Sequence, residues 1–171
     1  MIEPGSHEGA ARERHANEHP VYTTRVADFY NDQDAAAITE LVAAYADDSD
    51  PIPESVKEEM VPGLRLVPSA FAVLAVCGEQ IVGVAVCFLG YSTFAARPLV
   101  NIHDLVIAAE HRGRGVGSQL IRAVEAHARV EGSCKVTLEV RASNDRAESL
   151  YRRMGYRDPG SEPTRFLERL L

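Results

Sequence analysis

A glycine-rich segment between a predicted strand and a predicted helix is the part of this chain best suited to binding an anion. Its sequence is Arg112-Gly113-Arg114-Gly115-Val116-Gly117. The three glycines let the backbone approach a ligand closely, and the unpaired N–H groups of the first helical turn point at it. The positive end of the helix dipole adds to the attraction. The segment therefore predicts a phosphate-binding loop.

Similar loops occur in several nucleotide-binding folds, so the glycines alone do not identify the ligand. A Rossmann fold needs the loop in an early strand–helix unit, with an acidic residue about 20 residues later. Here at least three predicted strands precede the loop, and Glu131 lies within the following helix. The Gly-Lys-Ser/Thr sequence of a P-loop is absent. A tight turn without a ligand is the bland alternative, and the density of glycines argues against it.

Two helices are predicted before the main sheet. Asp34 is the expected N-cap of the first, whose apolar stripe is Ile38, Leu41, Val42 and Tyr45. A shorter helix is predicted over 53–60, with Pro62-Gly63 as its stop.

The remaining pattern predicts strands at 21–26, 70–76, 80–89, 99–107, 135–140 and 164–171. Two further helices begin near Gly115 and Asn144. Neither an internal repeat nor an interdomain linker is evident. We therefore expect one mixed α/β domain over residues 20–171, preceded by a disordered arm, residues 1–19.

Composition limits the class of protein. The formal net charge of −7, from 18 basic and 25 acidic residues, argues against nucleic-acid binding; it favours solubility or the attraction of a cationic amine. No apolar run reaches the roughly 18–20 residues of a membrane span, and residues 1–19 lack signal-peptide character, so we expect a cytoplasmic protein. The three widely spaced cysteines and the scattered histidines predict no metal site and no disulfide.

Three motifs follow one another in the second half of the chain. A strand contains Ile102-His103-Asp104-Leu105-Val106-Ile107, the loop has the form Arg/Gln-x-x-Gly-x-Gly/Ala, and a helix begins at Asn144 and contains Tyr151-Arg152-Arg153-Met154-Gly155-Tyr156. In this order they resemble the fourth strand, the phosphate loop and the last helical motif of the GCN5-related N-acetyltransferase (GNAT) superfamily. The resemblance implies an α/β (α+β) domain with a mixed, mostly antiparallel sheet of about six to seven strands and about four helices.

The resemblance also implies acetyl-CoA as cosubstrate, without a metal. The implied cofactor-binding residues are Leu105, Val106, Ile107, Arg112, Gly113, Arg114, Gly115, Val116, Gly117, Ser118 and Asn144. In such enzymes the strand backbone bonds the pantetheine arm like an added strand, the loop amides hold the pyrophosphate, and the asparagine contacts the arm from the other side. Arg114 is either a contact to an outer phosphate or a solvated loop charge.

The implied reaction, attack of an amine on the acetyl carbonyl, needs two proton transfers. An alkylammonium, with a pKa of about 10.4, must lose a proton first, and a histidine titrates near neutrality, so His103 is the candidate base, directly or through water. By resemblance Tyr151 lies near the thioester sulfur, and a tyrosine can protonate a thiolate whose pKa is about 8.5. The alternatives are a structural histidine within a strand and a core aromatic on an amphipathic helix.

One subgroup of the family is more similar. Tyr91-Ser92-Thr93-Phe94, followed by His103-Asp104 in the strand, resembles the spermidine/spermine and related diamine acetyltransferases, which usually carry Tyr-Ser-Thr-Trp and Glu-Asp. The departures at Phe94 and His103 leave polyamine specificity open. Tyr91, His103 and Asp104 are the implied substrate contacts. The acidic run of Asp47, Asp48 and Asp50 either binds a second ammonium or is a solvated helix end.

Three functions are therefore compatible with the sequence. The first is acetylation of a small-molecule amine, and the second is acetylation of a peptide or protein, which needs a wider cleft. The third is a non-catalytic acyl-CoA-binding sensor, against which Tyr151 argues. The resemblance also implies a homodimer.

Overall fold

Five strands form one sheet in the order β1-β2-β3-β4-β5 in the computed structural model, which describes residues 20–46, 51–160 and 167–169. They are β1 (Tyr22–Val26), β2 (Ala70–Cys77), β3 (Gln80–Ser92), β4 (Arg97–Ile107) and β5 (Val136–Leu138). The first four are antiparallel neighbours, and β5 runs parallel to β4. The expected mixed, mostly antiparallel sheet is confirmed. The strand predicted at 164–171 lies largely outside the described residues, and 167–169 form no strand, so the described sheet has fewer strands than expected.

The described residues form four α-helices that flank this sheet: α1 (Asp32–Ala43), α2 (Glu54–Arg65), α3 (Val116–Val130) and α4 (Asp145–Arg153). Alternation along β2 shows how the two faces are divided, because Val73 packs in the cluster of α3, whereas Leu74 packs in the cluster of α1 and α2. We refer to these as the α3 face and the α1–α2 face. The predicted arm, residues 1–19, and the acidic run Asp47, Asp48 and Asp50 lie outside the described residues.

The start of α1 differs from the prediction. Asn31 is the N-cap, and its side chain accepts hydrogen bonds from the backbone N–H groups of Gln33 and Asp34. Asp34 is only 1% exposed and receives two hydrogen bonds from the Arg25 guanidinium of β1, at 2.6 and 2.5 Å. A third donor is the Asp28 N–H, at 2.9 Å. The residue taken as a helix cap therefore ties α1 to the first strand.

The end of α2 also differs. The helix continues through Pro62 to Arg65, although proline removes one helical hydrogen bond. The side chain of Val61, within α2, is only 1% exposed and belongs to the cluster of the α1–α2 face, and Leu64 packs against that cluster. Burial of this apolar face outweighs the local cost of the proline, which is why the predicted stop at Pro62-Gly63 is wrong.

A β-bulge interrupts β4 at His103. Cys87 of β3 pairs with Ile102, but the adjacent Val86 pairs with Asp104, so His103 has no opposite residue. In a regular strand Ile102 and Val106 would share a face. Here Ile102 packs on the α3 face and Val106 on the α1–α2 face, because the extra residue reverses the alternation.

The parallel contact between β4 and β5 ends at the same place. It consists of three pairs, Val100 with Val136, Asn101 with Thr137 and Ile102 with Leu138. Among the described residues, no strand pairs with 103–107 on the β5 side. The two strands therefore part from His103 onward and leave a cleft beside residues 103–107 of β4.

We expect Arg25→Gln to lower the free energy of unfolding at pH 7 by about 1–2 kcal/mol, because it leaves the buried Asp34 carboxylate without its charged partner. The loss is smaller than for a fully buried pair, since the Arg25 side chain is 47% exposed and solvent screens part of the interaction. The guanidinium holds the pKa of Asp34 below the ordinary aspartate value of 3.8, so this stabilisation is present above that pH and is lost as the pH falls through the lower, folded-state pKa. Urea denaturation at several pH values measures both effects.

Arg129→Gln is the matched control for this substitution. It breaks the ion pair with Glu125 on α3, where the arginine side chain is 71% exposed. Exposed pairs contribute little to stability, so we expect a much smaller change. Equal losses in the two variants would contradict a special role for the Arg25–Asp34 pair.

Candidate active site

The first turn of α3 is left open to an anion. Its N-cap, Gly115, has φ +86° and provides no side-chain cap, and its first turn contains no acidic residue. The helices α1 and α4, by contrast, are capped by Asn31 and Asn144 and carry acidic residues in their first turns. Gly113, at φ +78°, provides the second left-handed turn of the loop. The N–H groups of Val116, Gly117 and Ser118 are therefore the donors that a phosphate would meet.

Close packing around the loop explains why its last residue, Gly117, is a glycine. A Cβ on Gly117 would lie 3.0 Å from Cδ2 of Leu150 and 3.4 Å from Cδ1 of Ile107. The residue is buried at the point where the first turn of α3 meets both α4 and the end of β4. Gly117 thus allows α3 to pack closely against both α4 and the end of β4.

The arginines near the loop have different surroundings. Nε of Arg112 donates to the carbonyl oxygen of Ile107 at 2.8 Å, so this side chain closes the turn after β4. Arg114 is exposed in the loop. A Cβ on Gly113 would lie 3.5 Å from Nη2 of Arg146, so an arginine of α4 stands directly against the loop. The sequence analysis missed Arg146, although a cationic residue in the first turn of a helix is unfavourable to the dipole and is therefore a signal.

The turn that leads into the loop is held from β1. The hydroxyl of Tyr22 and Nδ1 of His111 are 3.0 Å apart, and the two rings meet edge to face at 5.7 Å between centroids. His111 ends the short 3₁₀ helix Ala109–His111, immediately before the loop. This contact attaches the start of the loop to the opposite edge of the sheet.

The unpaired stretch of β4 offers backbone groups to the cleft. The N–H of Ala108 bonds Val82 on β3 at 2.9 Å, and backbone groups alternate sides along a strand. Those of Leu105 and Ile107 therefore face the β5 side, whereas those of Val106 face β3. Because Arg112 occupies the carbonyl of Ile107, the Ile107 N–H and both groups of Leu105 are the ones turned toward the cleft.

Tyr151 lies in α4, and its side chain belongs to the cluster against which Leu105 and Ile107 pack. It is 9% exposed and packs in the cluster of the α3 face. Burial, with a smaller contribution from Tyr45, raises its pKa above the ordinary tyrosine value, so the hydroxyl keeps its proton at neutral pH. Asn144 uses its side-chain oxygen to cap the Ala147 N–H at 3.1 Å, as the sequence predicts, and this leaves its amide N–H groups as donors.

The bulge brings His103 and Asp104 to the α1–α2 side of the sheet. The ring of His103 is exposed and meets Phe88, which packs in the cluster of that face, edge-on at 5.5 Å. Asp104 pairs with Val86 of the same cluster and is half-buried. Burial raises the pKa of Asp104, and the neighbouring His103 opposes part of the rise. A regular strand would have placed the two side chains on opposite faces.

Tyr91 lies farther away. It pairs with Pro98 next to the turn of the β3–β4 hairpin, four residues along β3 from Cys87, or about 14 Å from the bulge. Its side chain is 63% exposed, and Phe94 at the end of the hairpin is fully exposed. Within one chain the structure therefore does not bring Tyr91 together with His103 and Asp104.

Searches for two other kinds of site in the described residues found neither. No group of three or more His, Cys, Asp or Glu side chains there could hold a metal ion. No helix of that part of the chain is long and apolar enough to cross a membrane.

Comparisons with known proteins point to one family. The model of the Acetyltransferase (GNAT) family matches residues 25–156. Thialysine N-epsilon-acetyltransferase of Bos taurus is 33% identical over 81 residues, which are 47% of this chain and 47% of that protein. Streptothricin acetyltransferase of Streptomyces lavendulae is 38% identical over 68 residues, 40% of this chain and 35% of that protein. The aligned region thus spans less than half the length of these curated relatives.

Solved structures agree at the level of the fold. An aminoglycoside N-acetyltransferase in complex with CoA has a TM-score of 0.73 at 15% identity, covering 90% of this chain and 98% of that chain. A ribosomal-protein-alanine N-acetyltransferase from Brucella melitensis has a TM-score of 0.69 at 16% identity, covering 86% and 100%. Together with the family match over more than half of the sequence, the parted strands and the open α3 loop show that this chain belongs to the GNAT family of acetyltransferases.

Proposed function

We propose that this chain transfers an acetyl group from acetyl-CoA to a primary amine of a small molecule. The observation that carries the proposal is the continuity between the unpaired edge of β4 and the uncapped start of α3. Backbone groups of Leu105 and Ile107 can bond a pantetheine amide like an added strand, and the loop after them offers N–H donors to a pyrophosphate. The Tyr151 side chain belongs to the cluster against which Leu105 and Ile107 pack.

The relatives support a small acceptor. Two of them are named for acetylation of thialysine and of streptothricin. The neighbour named for a ribosomal-protein alanine matches at 16% identity and supports the shared fold alone. A peptide acceptor is therefore the second candidate, and the assay below includes it.

The proposed mechanism gives His103 and Tyr151 the proton transfers that the reaction requires, and Asp104 a role in attracting the amine. The amine nitrogen forms a bond to the acetyl carbon, the carbon–sulfur bond breaks, and the proton lost by the ammonium passes to His103, directly or through water. In forming the amide, the nitrogen also releases its second proton to solvent. The departing thiolate takes a proton from the Tyr151 hydroxyl, and Tyr151 regains a proton from solvent. A raised pKa makes Tyr151 a weaker acid but ensures that it holds its proton until the thiolate develops. Asp104, beside His103, provides a negative charge for the incoming ammonium.

The function is tested by following thiol release from acetyl-CoA with a panel of acceptors: thialysine, lysine, spermidine, putrescine, an aminoglycoside, and a peptide with a free N-terminus. We expect amine-dependent release with at least one small amine and an acetylated product of matching mass. CoA binding without transfer to any acceptor would favour the sensor. Transfer to the peptide alone would favour the second candidate.

For Tyr151→Phe we expect kcat to fall by about 10²–10⁴-fold while the Kd for CoA changes less than about threefold, since only the transferable proton is lost. Tyr156→Phe is the matched control. The Tyr156 ring lies 6.1 Å from that of Tyr151, and its hydroxyl is also buried. We expect nearly normal turnover from the control, and equal losses in both variants would exclude Tyr151 as the acid.

His103 and Asp104 are distinguished by the pH dependence of kcat/KM. If His103 is the base, the acid limb of the wild-type profile disappears in His103→Gln and persists in Asp104→Asn. An acid limb that survives in His103→Gln would contradict this role.

Because burial raises the pKa of Asp104, its ionised form lowers the free energy of unfolding. Asp104→Asn should therefore stabilise the protein at pH 7. The gain should vanish below about pH 3.8, where the carboxyl is protonated in the folded and the unfolded state alike.

A further inference from the structure

We propose that Arg146, reaching over the loop from α4, is a direct contact to the pyrophosphate of CoA. This inference rests on the proposed function only in its choice of ligand. Its structural basis is the position of the guanidinium, whose Nη2 lies 3.5 Å from where a Cβ on Gly113 would be. An anion held by the loop amides would therefore lie close to the Arg146 guanidinium.

The orientation of α4 supports this placement independently. Leu150 contacts Gly117 in the first turn of α3, with Cδ2 3.0 Å from the position of a Cβ there. Arg146 and Leu150 are four residues apart and therefore share one face of α4. The face that packs on the loop is thus the face that carries Arg146, and the contact at Gly113 follows from how the helix is seated.

The guanidinium of Arg146 is also available. Within the described part of the chain, it has neither a hydrogen bond nor an ion pair. Arg112, by contrast, bonds the Ile107 carbonyl, and Arg152 of the same helix is paired with Glu148 and Asp158. A bidentate contact to a phosphate would use donors that are otherwise left to solvent.

The helix dipole adds a reason to look for a ligand. Arg146 is in the first turn of α4, where the dipole disfavours a positive charge by roughly 0.3–1 kcal/mol. Asp145 and Glu148 lie in the same turn and favour the helix, but residues one or two positions apart do not face each other. A phosphate between the starts of α3 and α4 would compensate the arginine as well as the open amides of α3.

The test compares the binding of three ligands by calorimetry: CoA, dephospho-CoA, which lacks the 3′-phosphate, and pantetheine, which lacks all phosphates. For Arg146→Gln we expect about a tenfold loss of affinity for CoA and dephospho-CoA alike, and no loss for pantetheine. Arg146→Lys should recover part of the loss, because it retains the charge without the planar fork. The salt dependence of CoA binding should become less steep.

Arg129→Gln is the charge-matched control. It removes one positive charge near the far end of α3, about 20 Å along the helix from Val116, and should leave all three affinities unchanged. Melting temperatures of both variants confirm that they are folded. At saturating acetyl-CoA, kcat of Arg146→Gln should match the wild type, so the effect appears in KM.

Several results would overturn the assignment. An equal loss for pantetheine would show that Arg146 only supports the structure, and a loss for CoA alone would move the contact to the 3′-phosphate. Unchanged affinity for all three ligands would remove Arg146 from the site, and so would a wild-type protein that binds none of them. If the wild type binds CoA but transfers to no amine, the proposed function fails, while the ligand series still decides the role of Arg146.

Discussion

The short parallel contact between β4 and β5 is the constraint on which the site depends. It holds for three residue pairs and ends where the bulge inserts His103. Had the pairing continued, the backbone groups of Leu105 and Ile107 would be satisfied within the sheet, and no cleft would be present. Because it stops, the same strand serves as a buried sheet member in its first part and as an open edge in its last part.

The helix starts differ in capping and charge, and the difference leaves the start of α3 open next to the cleft. The starts of α1 and α4 are closed by asparagine caps and acidic first turns, whereas α3 has neither a side-chain cap nor an acid there. On the opposite face, Asp104 is half-buried, and burial raises its pKa. An open helix start and a desolvated carboxylate both lower stability, and in the proposed mechanism both meet a charged part of a substrate. These costs are local, and the cores on the two faces of the sheet supply the stability that permits them.

The anchoring contacts come from outside the cleft. Tyr22 of β1 holds His111 at the start of the loop, and Arg25 of the same strand holds α1 through Asp34. One edge strand therefore connects to both layers: to the loop through the 3₁₀ turn and to the α1–α2 face through the ion pair. Through Tyr22, this arrangement restrains the start of a loop that contains three glycines.

Features that depend on neighbouring residues could be predicted from the sequence. The loop after β4, the start of α3 at Gly115 and the Asn144 cap follow from local backbone preferences, and the family motif adds Tyr151. The bulge at His103, the burial of Asp34 and the position of Arg146 against Gly113 depend on pairings with residues far along the chain. The sequence by itself thus determined the family, the glycine loop at the start of α3 and the candidate acid, because each rests on short-range spacing. Only the tertiary structure decided which face His103 and Asp104 share and which arginine meets the loop, because strand register and helix seating are set by long-range packing.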